Sequence, residues 1–558
     1  MIGYTCKYTP VELLEALGGQ PLLLDGEEET YEQAEGLTHA NLCCHAKAVL
    51  QQGCRVDELL LTDCCDSIRR VHDALEGRGS HRYLRLLDLP HQDGPCAKTR
   101  LRDELIRLAG EYGAHTGAWF QREVFLAACA RAQSQPLPQG PFLAVLGARM
   151  SAPLLTFIRG RLPLPVADLT CSGNRALPPL PKDAETIPFE NLMEWYAGAL
   201  LSMPPCLRMA DLAGRQSLTE HPGLKGIIYH TVKFCDYYGF EYAQLQKTLS
   251  LPMIKLESDF TPQPAGQLST RLEAFVERLN LQPVQAPAVS TSPKPAGALY
   301  AGIDSGSTST NMVVLNQERE ILASAVVRTG AKAQNGAKAA LEEVCRQLGQ
   351  GPEGFAAVLA TGYGRSNITF ATASKTEITC HARGAFFLHP QARAIIDIGG
   401  QDSKVICLDG EGAVTNFVMN DKCAAGTGRF LEMMARTLEL SLPDMSQMGL
   451  RWQQDLTISS MCTVFAESEV ISLIADNHSA QDIVHGLNKA VASKTAALVS
   501  RAGGTGPYMM TGGVARNRGV VAALEERLGA PLWVADEPDL CGALGAALFA
   551  LDSVRAEQ

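Results

Sequence analysis

Short apolar runs that stop at polar, turn-forming residues recur through the first half of the chain. Leu59-Leu60-Leu61 ends at Thr62-Asp63-Cys64-Cys65-Asp66, and a helical period over residues 67–75 follows. Residues 142–146 run apolar into Gly147, and residues 226–230 form a third run of this kind. Short runs that alternate with helical periods predict strand–loop–helix units and parallel sheets. The second half reads differently. Residues 299–304, a turn over 305–310 and residues 311–315 read as strand, turn, strand. Residues 394–398, 399–403 and 404–408 repeat that pattern. Each copy carries an aspartate near the end of its first strand, Asp304 or Asp397. This points to an internal duplication, with one hairpin in each lobe of a two-lobed α/β fold. A third turn, Met510-Thr511-Gly512-Gly513-Val514-Ala515, precedes a helical period over 516–528.

The apolar period is lost over residues 282–297, where proline, alanine and serine dominate. That composition predicts a semi-rigid linker. A shorter proline-rich stretch, 135–141, reads as a hinge. The expected domains are therefore α/β subdomains over 1–135 and 140–281, a linker over 282–297 and the two-lobed unit over 298–558. The 558 residues are 46% hydrophobic and 20% charged, which suits a globular chain with several cores. A net charge of −11 without a long basic block argues against nucleic acid or an anionic membrane as partner. The N-terminus lacks a basic region followed by an apolar stretch, and no apolar run is long enough to span a bilayer. The expectation is a cytoplasmic protein. In such a reducing setting 17 cysteines point to metal or redox chemistry rather than disulfides. Cys54, Cys96, Cys129, Cys345, Cys380, Cys407 and Cys541 read as structural thiols.

Turns rich in glycine and hydroxyl residues present backbone N–H groups to phosphate, and glycine allows close approach. Strand-end aspartates hold Mg²⁺ through water. The candidate nucleotide residues are Gly302, Ser305, Gly306, Ser307 and Thr308, then Gly399, Gly400 and Gln401. Gly426, Gly428, Gly512 and Gly513 complete the set, with Asp304 and Asp397 as the catalytic pair. From Leu299 to about Leu551 these motifs resemble the acetate kinase, sugar kinase, heat-shock 70 and actin ATPase superfamily. The resemblance implies two lobes closing on Mg-ATP, the first hairpin on the β- and γ-phosphates and the third turn near the adenosine.

Cys423 lies in Asn420-Asp421-Lys422-Cys423-Ala424-Ala425-Gly426-Thr427-Gly428, and Cys462 in Ser459-Ser460-Met461-Cys462-Thr463. Each precedes a helical period, and positive helix ends favour thiolates. A cubane cluster needs four thiolates, so two per chain suit a two-fold dimer. Together with Ala360-Thr361-Gly362-Tyr363-Gly364-Arg365 and Glu377-Ile378-Thr379-Cys380-His381-Ala382, these segments resemble the 2-hydroxyacyl-CoA dehydratase activators. That BadF/BadG/BcrA/BcrD ATPase family includes the ATPase subunits of benzoyl-CoA reductase. The resemblance implies a homodimer bridged by one 4Fe-4S cluster on Cys423 and Cys462. It also implies ferredoxin or flavodoxin as donor, and ATP-coupled transfer of one electron to a partner metalloprotein.

In the first half, Gly3-Tyr4-Thr5-Cys6, Cys64-Cys65-Asp66, Leu86-Leu87-Asp88-Leu89-Pro90, Asp168-Leu169-Thr170-Cys171-Ser172-Gly173 and Lys233-Phe234-Cys235-Asp236 place most of their cysteines at turns. These segments, with residues 266–273, resemble the 2-hydroxyacyl-CoA dehydratase subunit family over Ile2 to Leu279. The resemblance implies two α/β subdomains around an iron–sulfur cleft. Its ligands would be one of Cys43 and Cys44, one of Cys64 and Cys65, and Cys235, with Cys44 and Cys65 favoured. Adding Cys6, Cys171 and Cys206 gives six thiols, enough for the family's double-cubane branch. The resulting expectation is a fused electron donor and acceptor. One alternative is an activator plus dehydratase subunit that recruits a further partner subunit. Another is an ATP-dependent redox sensor or cluster scaffold without turnover. True dehydratases pair two different subunits of this type, and one copy is present here, so a reductase of a small substrate is weighed equally.

Overall fold

The computed structural model describes the chain except residues 40, 93, 134–136, 174, 205, 210–218, 263–264, 280–297, 422–423, 459–462 and 557–558. The expected linker, Cys423 and Cys462 lie outside the described residues. The chain forms two compact units, Met1–Pro264 and Ala265–Gln558. Among the described residues no helix is long and apolar enough to cross a membrane.

The first unit contains two four-stranded parallel sheets. In one, β1 (Ile2–Tyr4), β2 (Pro21–Leu23), β3 (Glu58–Thr62) and β4 (Tyr83–Leu87) stand in the order β2-β1-β3-β4. In the other, β5 (Phe142–Gly147), β6 (Val166–Thr170), β7 (Leu224–Val232) and β8 (Met253–Ser258) stand in the order β6-β5-β7-β8. The central strands carry continuous apolar runs because both faces are covered: Leu59, Leu60 and Leu61 are buried, as is all of β5. In parallel sheets the loops at the strands' carboxyl ends gather on one edge, where ligands bind. Cys6, Cys64, Arg149, Cys171 and Cys235 all follow a strand within three residues. Cys43, Cys65 and Cys235 each cap the N-terminus of a helix, over Cys44–Gly53, Asp66–Arg78 and Asp236–Thr248 respectively.

The second unit carries the duplication. β9 (Leu299–Ser305), β10 (Ser309–Leu315), β11 (Ile321–Arg328), β12 (Phe355–Thr361) and β13 (Ala373–Ser374) stand in the order β11-β10-β9-β12-β13. β14 (Ala394–Ile398), β15 (Ser403–Leu408), β16 (Val414–Asn420), β17 (Tyr508–Thr511) and β18 (Leu532–Val534) repeat it as β16-β15-β14-β17-β18. In both sheets an antiparallel hairpin is followed by a parallel strand. The register is equivalent: Asp304 pairs with Thr361, and Asp397 pairs with Thr511. The expected helix over 516–528 begins two residues later, at Arg518. Asn517 caps it, accepting from the N–H groups of Gly519 at 3.0 Å and Val520 at 3.1 Å, and residues 513–516 form a 3₁₀ turn.

One element packs apart from its sequence likeness. Residues 266–273 read as part of the first half, but the helix Ala265–Arg278 belongs to the second compact unit. Its polar face explains why. Arg271 pairs with Asp421 at 2.7 Å, Arg365 with Glu273 at 2.5 Å, and Glu277 accepts from the Thr376 N–H at 3.1 Å and hydroxyl at 2.6 Å. Thr376 caps the helix Glu377–Leu388.

Candidate functional site

The second unit holds a cleft of about 650 Å³, lined by residues 306–309, Gly399, Gly400, Gly428, Gly512 and Gly513, with Asp304 and Asp397 beneath them. Gly362 and Gly512 both have φ of +83°, and a Cβ there would come within 2.5 Å of Asp304 Oδ1 and 2.8 Å of Asp397 Oδ1. The backbone thus crosses each carboxylate where only glycine fits.

His381 lies between the two aspartates. Its Nε2 is 3.5 Å from Asp304 Oδ2 and its Nδ1 is 3.6 Å from Asp397 Oδ1. Burial works against charge on the ring, but Asp397 and Asp304 outweigh it and hold the pKa well above the usual histidine value. Lys404, opposite Asp397 in the β14–β15 hairpin, is 2.8 Å from Asp402, 3.2 Å from Asp397 and 3.5 Å from Glu377. Burial opposes its charge too, and the three carboxylates more than restore it. Glu377 is pushed up to about 7 by burial. Asp397 resists the same upward push through His381 and Lys404 and stays below the usual carboxylate range. The Thr511 hydroxyl donates to Asp397 Oδ1 at 3.0 Å. A buried carboxylate pair beneath glycine turns presents the hard oxygen donors that suit Mg²⁺ and its water shell.

The second turn is also tied to the segment that follows residue 423. The Gly428 N–H donates to the Gly399 carbonyl at 2.9 Å and the Arg429 N–H to that of Gly400 at 2.8 Å. The Ser403 hydroxyl donates to the Gly426 carbonyl at 3.3 Å. The helix Gly428–Thr437, whose inner face is Phe430, Leu431, Met434 and Ala435, therefore starts on the second glycine turn itself.

Four expected residues stand away from the cleft. Gly302 is inside β9, where a Cβ would meet the Ala543 carbonyl at 2.1 Å; it serves helix packing. Ser305 is fully buried at the end of β9, and its carbonyl accepts from the Gly364 N–H at 2.9 Å. Gln401 points to solvent while its neighbour Asp402 turns inward to Lys404. Gly426 lines a separate hollow beside Lys494. Sequence reasoning passed over His381, Glu377 and Lys404 as site residues. The first two lie in a quoted motif, and the strand register of Lys404 opposite Asp397 is the signal that finds it.

The first unit holds a cavity of about 600 Å³. Seven thiols line it: Cys6, Cys43, Cys64, Cys65, Cys171, Cys206 and Cys235. Cys6, Cys65, Cys171, Cys206 and Cys235 were expected. Cys64 joins Cys65, and Cys43 replaces Cys44. The reason is local: Cys43 caps the helix and turns to Cys235, whereas Cys44, one residue on, packs with Ala48 and Tyr229 in the second sheet's core. The thiols are close enough to share protons. Hydrogen bonding from Cys64 lowers Cys6 to about 6 and Cys65 to about 7, and Cys64 is raised in turn. Cys43 likewise lowers Cys235 to about 6 and is itself raised. Burial pushes Cys171 up to about 12.

Among the described residues no three His, Cys, Asp or Glu converge as they would on a single ion. A cluster spreads its thiolates over several iron atoms and asks for a wider ring of soft donors. Seven cysteines around one cavity fit that demand. Two hydrogen bonds from one side chain brace the ring: Arg175 Nε donates to the Lys7 carbonyl at 2.9 Å and its Nη2 to the Thr9 carbonyl at 3.1 Å, linking the Cys6 loop to the Cys171 loop.

Residues 301–550 match the BadF/BadG/BcrA/BcrD ATPase family, and residues 6–135 and 142–279 match the family described as 2-hydroxyglutaryl-CoA dehydratase, D-component. The 2-hydroxyisocaproyl-CoA dehydratase activator of Clostridioides difficile is 44% identical over 257 residues, 46% of this chain and 96% of its own. The activator of lactoyl-CoA dehydratase of Anaerotignum propionicum is 46% identical over 46% of this chain and 98% of its own. A solved structure of the 2-hydroxyisocaproyl-CoA dehydratase activator from Clostridium difficile with bound ADPNP is similar at 44% identity, covering 47% of this chain and 97% of that one, with a TM-score of 0.45. The chain therefore belongs, through its second unit, to the BadF/BadG/BcrA/BcrD ATPase family of dehydratase activators, fused behind a segment of the dehydratase D-component type.

Proposed function

We propose that this protein is a fused electron donor and acceptor. Its second unit binds and hydrolyses Mg-ATP to drive a low-potential electron into the thiol-lined cavity of its first. Asp304 and Asp397 would hold Mg²⁺ and water, and the glycine turns the phosphates. His381, kept protonated between the aspartates, spaces the carboxylates and offsets their repulsion. Lys404 does the same for Asp397, Asp402 and Glu377. Cys423 and Cys462, with their equivalents in a second copy, would hold a 4Fe-4S cluster, and the seven thiols of the first unit an iron–sulfur group of one or two cubanes. When bound, such groups supply one-electron storage at low potential. Ferredoxin or flavodoxin is the proposed donor.

The observation that carries this reading is the backbone link from Gly399 and Gly400 to Gly428 and Arg429. It puts the nucleotide turn and the segment after Cys423 on one rigid piece, so closure on ATP shifts both together. A segment of the D-component type present once suits reduction of a small substrate, and acyl-CoA dehydration with a further partner subunit is the alternative. The test is anaerobic iron and sulfide analysis of the full chain with Cys423→Ser and Cys462→Ser. Each variant should lose the second unit's cluster and its dimer contact while ATP binding remains. Full cluster content in either variant overturns the bridging arrangement.

A further inference from the structure

Among the described residues, three buried polar atoms beside the thiols have no hydrogen-bond partner: Thr5 Oγ1, His45 Nε2 and Arg149 Nε. All three residues line the thiol cavity. They arrive there from separate elements, Thr5 after β1, Arg149 after β5 and His45 from the helix Cys44–Gly53. Thr5 and Arg149 are 4% and 3% exposed, so bulk water does not compensate them. Buried polar atoms in folded proteins are nearly always paired, and three unpaired ones on one wall ask for something to bind.

The charge on that wall narrows what it is. Arg149 Nη1 donates to the Thr5 carbonyl, which fixes the guanidinium, and Nη2 is ion-paired with Asp25 at 3.5 Å, so the N–H left over is that of Nε. A buried guanidinium with a free N–H, a hydroxyl and an imidazole nitrogen form a donor set for a small anion, and a planar oxyanion suits arginine best. The cavity measures about 600 Å³, and an iron–sulfur group held by the thiols would take part of that space, which leaves room for a small ligand beside it.

We propose that the Arg149 wall is a subsite for a small carboxylate or similarly sized oxyanion, held by Arg149, Thr5 and His45 next to the thiols. The inference rests on the reading above for its purpose: a fixed cation beside the redox group favours a ligand that carries or gains negative charge.

The test is calorimetric titration of the anaerobic, iron-loaded full chain with sodium formate, against sodium chloride at equal ionic strength. The expected result is one formate per chain with a perturbed electron paramagnetic resonance signal of the first unit's cluster. Arg149→Gln should weaken binding about 10-fold or more, the scale of a lost hydrogen bond to a charged group. Thr5→Val keeps shape and should weaken it several-fold with iron content and melting temperature unchanged; it decides the matter if Arg149→Gln does not fold. Formate heats equal to chloride, or binding unaltered by Thr5→Val, would overturn the subsite and leave these donors to water or cluster sulfur. Iron-free protein separates the two readings. A chain that takes up no iron but binds formate through Arg149 sinks the cluster and keeps the subsite, whereas an iron-loaded chain blind to formate does the reverse.

Discussion

The two cavities solve opposite electrostatic problems. In the ATPase unit four buried carboxylates, Asp304, Glu377, Asp397 and Asp402, are balanced from within by His381 and Lys404. In the first unit seven thiols face one another, and their balance is a set of shared protons. The first arrangement sets two cations against four carboxylates, and the negative charge left over would suit a hard cation. The second carries part of its charge on the lowered thiols Cys6, Cys65 and Cys235, and the rest would appear as the raised thiols give up their protons to soft metal ligation. The cleft is thus preorganised by protein cations, and the cavity is a set of donors awaiting a soft group.

The sharpest way to break the comparison is to remove a carboxylate on one side. Asp304→Asn should cut ATP hydrolysis by about 10²-fold or more, the usual scale for a positioned catalytic group, with iron content unchanged. An ATPase rate near wild type would remove Asp304 from the chemistry. The second test is inside the ion-pair framework. Asp421 has one carboxylate oxygen on Arg271; its side chain is 3% exposed and that of Arg271 is 17% exposed. Arg271→Met should cost the second unit about 3–5 kcal/mol by stranding that charge, read as the denaturation midpoint of the full chain. A loss under about 1 kcal/mol would place the helix Ala265–Arg278 outside the unit's cooperative core.

The thiol side sharpens through a neighbouring pair. Cys43→Ser should remove or distort the first unit's iron–sulfur signal, as should Cys235→Ser, because serine oxygen is a harder ligand. Cys44→Ser should leave the signal intact. The reverse pattern would restore Cys44 as the cavity residue. The smallest expected effect is in pH. Burial lowers His230 to about 4, from an ordinary 6.5, so the unfolded chain binds that proton more readily. His230 alone should cost the first unit about 1.4 kcal/mol per pH unit below 6.5, down to about pH 4, and His45, lowered to about 3 by burial, adds a loss of the same sign. His381 and Glu377 have raised values, so their stability is complete at low pH and is lost as pH rises through their folded values. Scanning calorimetry between about pH 7.5 and 5.5 should therefore lower the first unit's transition and spare the second. Both falling in parallel would contradict the assignment of opposite signs.

How much could be read from the residues follows the same division. The nucleotide turns are contiguous, so Gly399-Gly400 and Gly512-Gly513 announced themselves, and so did the strand-end aspartates. Gly302 and Gln401 misled because a glycine or amide in the right motif does not say which way it faces. His381 and Lys404 need the pairing of strands and helices before their partners are known. The thiols of the cavity come from loops between residues 6 and 235, and local pattern cannot assemble them; the family resemblance did. It could not separate Cys43 from Cys44, since adjacent residues at a helix start point about 100° apart and only the cap position decides. The helix Ala265–Arg278 went with the first half in sequence and packs in the second unit because Arg271, Glu273 and Glu277 find their partners there.

The central claim is that ATP drives an electron from the second unit into the thiol cavity of the first. It is tested most directly by freeze-quenched electron paramagnetic resonance of the anaerobic full chain. The second unit is first reduced, then mixed with Mg-ATP or with Mg-ADPNP. The account predicts that a reduced signal assigned to the first unit, and abolished by Cys235→Ser, grows with Mg-ATP as phosphate is released and stays small with Mg-ADPNP. The same signal appearing at the same rate without nucleotide, or never appearing while ATP is consumed, would contradict it.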